Sequence, residues 1–363
     1  GSDDHVSAVG SRGETYFYPA KSVGDDEHGS AGVHSARFTP KSAIAFPGPD
    51  PSYTRPTTRY VTARELAADL RAADASALRP QPAHWPLVLM LTLLPWAICL
   101  QALLLAPLRD VPTRHGAPSG LVTYYITNPA ACLALLPLAL GALGLAAATF
   151  HLGQPLRAWR VFLGLRTSWF SREAVLFGAW FGLTMLAALF PGVPAMTAFA
   201  AATGLAALAC SVMIYVDTHR SFWRAASTAP RFVLGGAMLA SATIALSETS
   251  LGGARSFADY AKLAGALLLV AKLVVELASL RGESASARLQ RGPFFGVLCV
   301  RLGLAAGAAV VFAAVAPAAA EPDLAYYAGL GTPLALLLTG EIAERYLFFR
   351  AVDAPKMPGY ASR

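Results

Sequence analysis

The residues best suited to chemistry are His151 and Glu173, which bracket the loop 151–173 together with Trp159, Trp169 and Arg157, Arg160, Arg166 and Arg172. A histidine nitrogen holds or takes a proton near neutral pH, and a carboxylate can accept one. Beside aromatic walls at a membrane edge, the pair suits a quinol, whose two hydroxyl protons must leave as its electrons do. In that reading His151 is the hydrogen-bond partner or proton acceptor of one ring oxygen. Glu173 accepts or relays the other proton, and Trp159, Arg160 and Trp169 line the pocket. The same residue types also make an ordinary interfacial loop, with arginine on lipid headgroups, tryptophan in the aromatic belt and a glutamate near a helix N-terminus. Residue types alone leave both readings open.

For His151 and Glu173 to meet, the segments flanking the loop must be membrane helices whose ends share an interface. Composition supports this: 55% of the 363 residues are hydrophobic and only 14% are charged, against about a quarter charged in a soluble domain. Eight apolar segments follow one another at 85–107, 129–150, 174–191, 195–216, 232–251, 260–280, 294–317 and 326–349. Most approach the ~20 residues needed to cross ~30 Å of hydrocarbon. A single span in lipid satisfies its backbone only as a helix, so the fold class is all-α and polytopic, about eight helices in a compact bundle. Seven is the alternative count, because the Pro191-Gly-Val-Pro194 turn is very tight. Three parts result. Residues 1–83 form an extramembrane N-terminal segment, irregular over 1–60 and with a short helix over 63–76 capped by Thr62, laid on a partner. Residues 84–350 are the transmembrane body, and 351–363 are a short tail.

Charge and cysteine usage narrow the function further. The net charge is +7, but residues 1–83 hold 9 Lys/Arg against 10 Asp/Glu, so the excess belongs to the membrane part. No basic run is interleaved with aromatics on a soluble face, which speaks against nucleic acid and for membrane lipid. The loops on the side of the termini carry 13 Lys/Arg and the opposite loops only Arg109, Arg114 and Arg255; the positive-inside rule therefore expects both termini in the cytoplasm. Cys99, Cys132, Cys210 and Cys299 sit in apolar runs without CxxC spacing, so neither a metal site nor an iron–sulfur cluster is expected in this chain. A bis-histidine haem is not expected either, since His84, His151 and His219 lie at span ends on one side. Charges inside the spans need partners or water. Lys272 with Glu276, and Glu341 with Arg345, stand at i, i+4 and are expected to pair within their helices. Glu248 has no opposite charge at helical spacing, and with Glu341 it is the candidate for a proton relay. In the loop 217–231, Arg220, Trp223 and Arg224 are candidates for a docking surface or an ordinary solvated loop.

Three motifs carry a resemblance. His151-Leu-Gly-Gln-Pro-Leu-Arg-Ala158, then Ser171-Arg-Glu173, and Gly340-Glu-Ile-Ala-Glu-Arg345 in the last segment together resemble the membrane anchor subunit of the DMSO reductase (molybdopterin oxidoreductase) family. Arg55-Pro-Thr-Thr-Arg-Tyr60 and His84-Trp-Pro-Leu-Val-Leu-Met90 are similar to members in which an iron–sulfur subunit is fused ahead of the anchor. The resemblance implies a bacterial inner-membrane anchor that oxidises menaquinol and hands electrons to a ferredoxin-like iron–sulfur subunit. From there they would reach a molybdopterin catalytic subunit, so the terminal active site lies in another chain. It also ties the loop's histidine and glutamate, here His151 and Glu173, to quinol binding. No cluster-binding cysteines precede the first span, so the N-terminal segment either lies against a separate iron–sulfur subunit or is the remnant of a longer chain. Two other classes remain. A secondary transporter should show repeats and broken helices near the midplane, and a purely structural tether would not need His151 with Glu173.

Overall fold

The computed structural model describes residues 5–9, 15–19, 78–105, 121, 124–125, 132–191, 193–250, 255–314 and 324–353. They belong to two units, Gly1–Ala77 with Pro355–Arg363, and Leu78–Ala354. In the first unit β1 (His5–Val9) pairs antiparallel with β2 (Thr15–Pro19), Val6 opposite Tyr18 and Ser7 opposite Phe17. Threonine and aromatic residues favour strands, and Thr15-Tyr-Phe-Tyr18 outweighs the turn formers that made this stretch read as irregular. The helix expected over 63–76 lies outside the described residues.

The second unit is all-α, with nine helices among the described residues. They are α1 (Trp85–Leu103), α2 (Leu136–His151), α3 (Trp169–Leu189), α4 (Pro194–Val216), α5 (Ala225–Ser250), α6 (Arg255–Leu280), α7 (Ala285–Arg291), α8 (Phe295–Ala314) and α9 (Leu324–Arg350). Seven of them, α1 to α6 and α8, are long and apolar enough to cross a membrane. The eighth expected span is α9, whose 27 residues would reach about 40 Å. Glu341, Glu344 and Arg345 make its C-terminal half too charged for the apolar set, yet all three are buried inside the bundle. Consecutive helices pack on one another, α1 on α2, α3 on α4, α5 on α6 and α8 on α9, while α1 also meets α4, α5 and α9. That makes α1 a central post, and it and α5 are the most buried helices.

Where the posts cross, small residues let backbones touch, as packing in lipid requires. A Cβ on Gly236 of α5 would stand 2.5 Å from the Pro95 carbonyl oxygen of α1. Trp180 of α3, fully buried, sits between Gly141 of α2 and Gly204 of α4, each leaving 2.7 Å between a would-be Cβ and the indole. The Trp180 Nε1 donates to Gln101 Oε1 of α1 at 2.7 Å, and Gln101 Nε2 donates to Thr184 Oγ1 at 3.2 Å. A tryptophan N–H in an apolar interior needs such an acceptor.

Gly236→Ala should therefore push α1 and α5 apart and lower the melting temperature in detergent, with an overpacking cost of about 1–3 kcal/mol. Gly178→Ala on α3, where a Cβ would meet nothing within 4 Å, should leave the melting temperature unchanged or raise it. Equal effects of the two substitutions would contradict the crossing described here.

Candidate functional site

One end of the bundle gathers the start of α1, the ends of α2, α4, α6 and α9, and the starts of α3, α5 and α8. The Gln81 backbone N–H donates to the Arg350 carbonyl at 3.1 Å, closing the entry to α1 against the exit of α9. His84 caps α1 in the left-handed region, φ 48° and ψ 54°. A non-glycine residue held there carries strain, and such strain collects at functional positions. The consequence is an edge-on meeting of His84 with His151, the last residue of α2, at 5.4 Å between ring centroids. Phe349 of α9 stands 5.8 Å from His84. Behind these rings Tyr215 packs 5.0 Å from both Trp223 and Phe348 and 6.0 Å from Phe349. The Trp223 indole donates to the Phe348 carbonyl at 3.1 Å.

Glu173 sits one turn inside α3, only 5% exposed, and accepts a 2.5 Å hydrogen bond from Ser211 Oγ of α4. Tyr215, one turn beyond Ser211, lies within electrostatic range of both the Glu173 carboxylate and the Arg345 guanidinium. The α3 start is set by the Ser168 side chain, which accepts from the Ser171 backbone N–H. Arg172 then braces the incoming loop by donating to the carbonyls of Leu165 and Arg166, each at 2.9 Å, with its guanidinium 4.4 Å over the Trp169 ring.

The proposed quinol residues are thus only partly gathered. His151 looks to His84 and Glu173 to Ser211; no hydrogen bond or ring contact joins His151 to Glu173 among the described residues. Trp169 is tied to the loop through Arg172. Trp159 is 62% exposed, and Arg160 is exposed as well, on the 3₁₀ segment Pro155–Gly164. Sequence reasoning passed over His84 and Ser211 as site residues. His84 was within reach, because it opens α1 at the end where α2 finishes; Ser211 is brought to Glu173 only by helix packing. Trp223, considered for docking, is 7% exposed and belongs to the aromatic core. Arg220 lies 4.7 Å over its ring, and burial pulls that guanidinium below its ordinary range, opposed by the Asp353 carboxylate.

Deeper from the same end, about 6 to 14 Å along the helices at 1.5 Å per residue, lies a group of buried charges. Lys272 and Glu276 come from α6, Arg301 from α8, Glu341, Glu344 and Arg345 from α9, and Arg231 from α5. The shortest contact of Lys272 is with Glu341 across to α9, while Glu276 on its own helix is 3.7 Å away. The intrahelical pair expected from i, i+4 spacing is therefore secondary, because the interhelical geometry brings a carboxylate closer. Glu341 also meets Arg301 at 3.2 Å and Arg345 at 3.5 Å, and Arg301 reaches Glu276 at 2.9 Å. Glu344 pairs with Arg345 and lies 3.5 Å from Arg231. Arg345 further donates to the carbonyls of Leu91 of α1, at 3.1 Å, and Arg231, at 2.8 Å. Glycines make the room: a Cβ on Gly235 would stand 2.8 Å from Lys272 Nζ, and one on Gly340 2.9 Å from Arg301 Nη1. Glu248, at the last turn of α5, lies outside the described side chains.

These features define a multi-pass helical membrane protein whose titratable side chains collect toward one end of the bundle. The family model of the DMSO reductase anchor subunit (DmsC) matches residues 125–350, and the chain belongs to that family. It is thus a membrane anchor subunit of a DMSO reductase-type complex. The match takes in His151, Glu173 and the whole buried charge group, while His84 precedes it. A search of curated proteins finds no match to the chain.

Removing one member of a buried ion pair strands the others, at a cost of about 3–5 kcal/mol. Glu341→Gln should strand Lys272, Arg301 and Arg345 together, so folded yield in membranes and melting temperature should both fall. A variant as stable as the parent would mean that these charges do not hold the bundle.

Proposed function

We propose that this chain is the subunit at which menaquinol is oxidised, passing electrons to an iron–sulfur subunit and from there to a molybdopterin catalytic subunit. The observation that carries this is the His84–His151 ring pair at the bundle end, with the buried Glu173 carboxylate one turn inside the helix that starts at the same end. A quinol is the substrate, and its ring needs apolar walls with a few convergent polar groups. Phe349 and Tyr215 supply walls; His151, with its ring accessible at the end of α2, accepts the proton of one hydroxyl. His84 orients the His151 ring and, held by its strained backbone, keeps that geometry without a large entropy loss on binding. Glu173, kept from bulk water and held by Ser211, relays the second proton. Trp159, Arg160, Leu156 and Phe162, all exposed, seat the loop in the headgroup layer rather than touching the ring. The arginine-rich loops support taking this end as the cytoplasmic face of the inner membrane, with both termini on that side and the iron–sulfur subunit docked on it.

Binding of a hydroxyquinoline N-oxide type inhibitor, read by fluorescence quenching in membranes, tests this. Losing a hydrogen bond to a charged group costs about 1.5–3 kcal/mol, so His151→Ala and Glu173→Gln should each weaken binding roughly ten- to hundredfold, while Trp159→Ala leaves it unchanged. Undiminished binding in both of the first two variants, with the chain still folded, would place the pocket elsewhere.

A further inference from the structure

The buried charge group does not balance. Among the described residues, Arg231, Lys272, Arg301 and Arg345 face only Glu276, Glu341 and Glu344, and all seven side chains are more than nine-tenths buried. One uncompensated positive charge inside a membrane bundle is costly. Arginine does not release its proton in proteins, whereas a lysine ammonium can. Lys272 is also the best placed to do so. It is bonded to Glu341, lies 3.7 Å from both Glu276 and Glu344, is flanked from α8 by Arg301 and from α9 by Arg345, and rests against Gly235 of α5.

A way out for that proton begins at Glu344 and Glu276. Both line a small cleft between α6, α8 and α9, together with Arg231, with Gln290 of α7 and with Leu298 and Leu302 of α8. Two buried atoms of residues lining this cleft, Arg231 Nε and Glu344 Oε1, have no hydrogen-bond partner among the described residues, the Oε1 having only the 3.5 Å ion pair with Arg231 Nη1. Buried polar groups are rarely left so, and water is the usual partner. The cleft volume of about 10 Å³ matches the room one water needs beside two polar partners.

We propose that the Lys272 group is a proton-exchange site, wetted from the α7 end of the bundle through this cleft. The Lys272 ammonium passes its proton to Glu344 or Glu276, and that carboxyl passes it on to the cleft water, which carries it out as hydronium. The amine left behind sits among three arginines and three carboxylates, so the group becomes neutral; the reverse sequence reloads it. This site is distinct from the His151–Glu173 end and stands whether or not a quinol is the substrate there.

The full-length chain in lipid vesicles, with Cys99, Cys132, Cys210 and Cys299 replaced by alanine, permits two measurements. Leu298→Cys should react with a charged methanethiosulfonate added to the aqueous phase, whereas Leu267→Cys, on the outer face of α6, should react only with a membrane-permeant maleimide. A Leu298→Cys that takes only the permeant reagent overturns the wet cleft, even if no Lys272 variant folds. Infrared difference spectra after a pH jump should contain a protonation signal that disappears in Lys272→Met and rises more slowly in Leu302→Trp, which fills the cleft. A signal unchanged in Lys272→Met overturns the proton-exchange role.

Discussion

A carboxylate shut away from bulk water must be answered by protein, and Glu341 is answered from three helices at once. Lys272 of α6, Arg301 of α8 and Arg345 of α9 converge on it. Through Arg345 and Glu344 the same group reaches the Leu91 carbonyl of α1 and Arg231 of α5. Five helices are thereby held in one axial register. Sliding α6 or α9 by a turn would strand several charges together, whereas apolar faces in lipid slide at little cost because hydrocarbon solvates them as well as protein does. Coulombic attraction in a low dielectric is strong but recovers the desolvation cost only at close range. Hence Gly235 and Gly340 stand where any side chain would hold the charges apart.

The other half of the bundle uses a different device. Trp180 is wedged between Gly141 and Gly204 and tied by its indole N–H to Gln101, so α1, α2, α3 and α4 share one neutral polar knot. The central helix α1 belongs to both halves, meeting α2 and α4 on one side and α5 and α9 on the other. The end where His84 meets His151 and Phe349 lies on the seam between them. Side chains on such a seam are held by two separately braced groups of helices, which keeps the His84 and His151 rings in place.

Tyr215 links the two chemistries of the bundle. It stands one turn from Ser211, the partner of Glu173, and within electrostatic range of Arg345 as well. The aromatic rings around it, Trp223, Phe232 and Phe348, fill the space between the terminal site and the deeper charges. Arg345 itself lies 4.9 Å over the Phe232 ring, a contact that stabilises a cation where water is scarce.

Much of this protein was legible before any coordinates. Runs of apolar residues bounded by proline, glycine or charge define the spans, because lipid admits only helices that satisfy their own backbone. The motif from His151 to Ala158 with Ser171-Arg-Glu173 marked the family. The charges inside the spans announced that they must be paired. Which partners they take was decided only by tertiary structure. Lys272 meets Glu341 more closely than Glu276, Glu173 meets Ser211, and His151 meets His84 at the start of α1, because contacts between helices depend on crossing geometry and on glycines at the crossing. Spacing along one helix reports only the neighbours a residue has on that helix. Side chains from separate helices come within hydrogen-bond range only when the packed backbones bring them there.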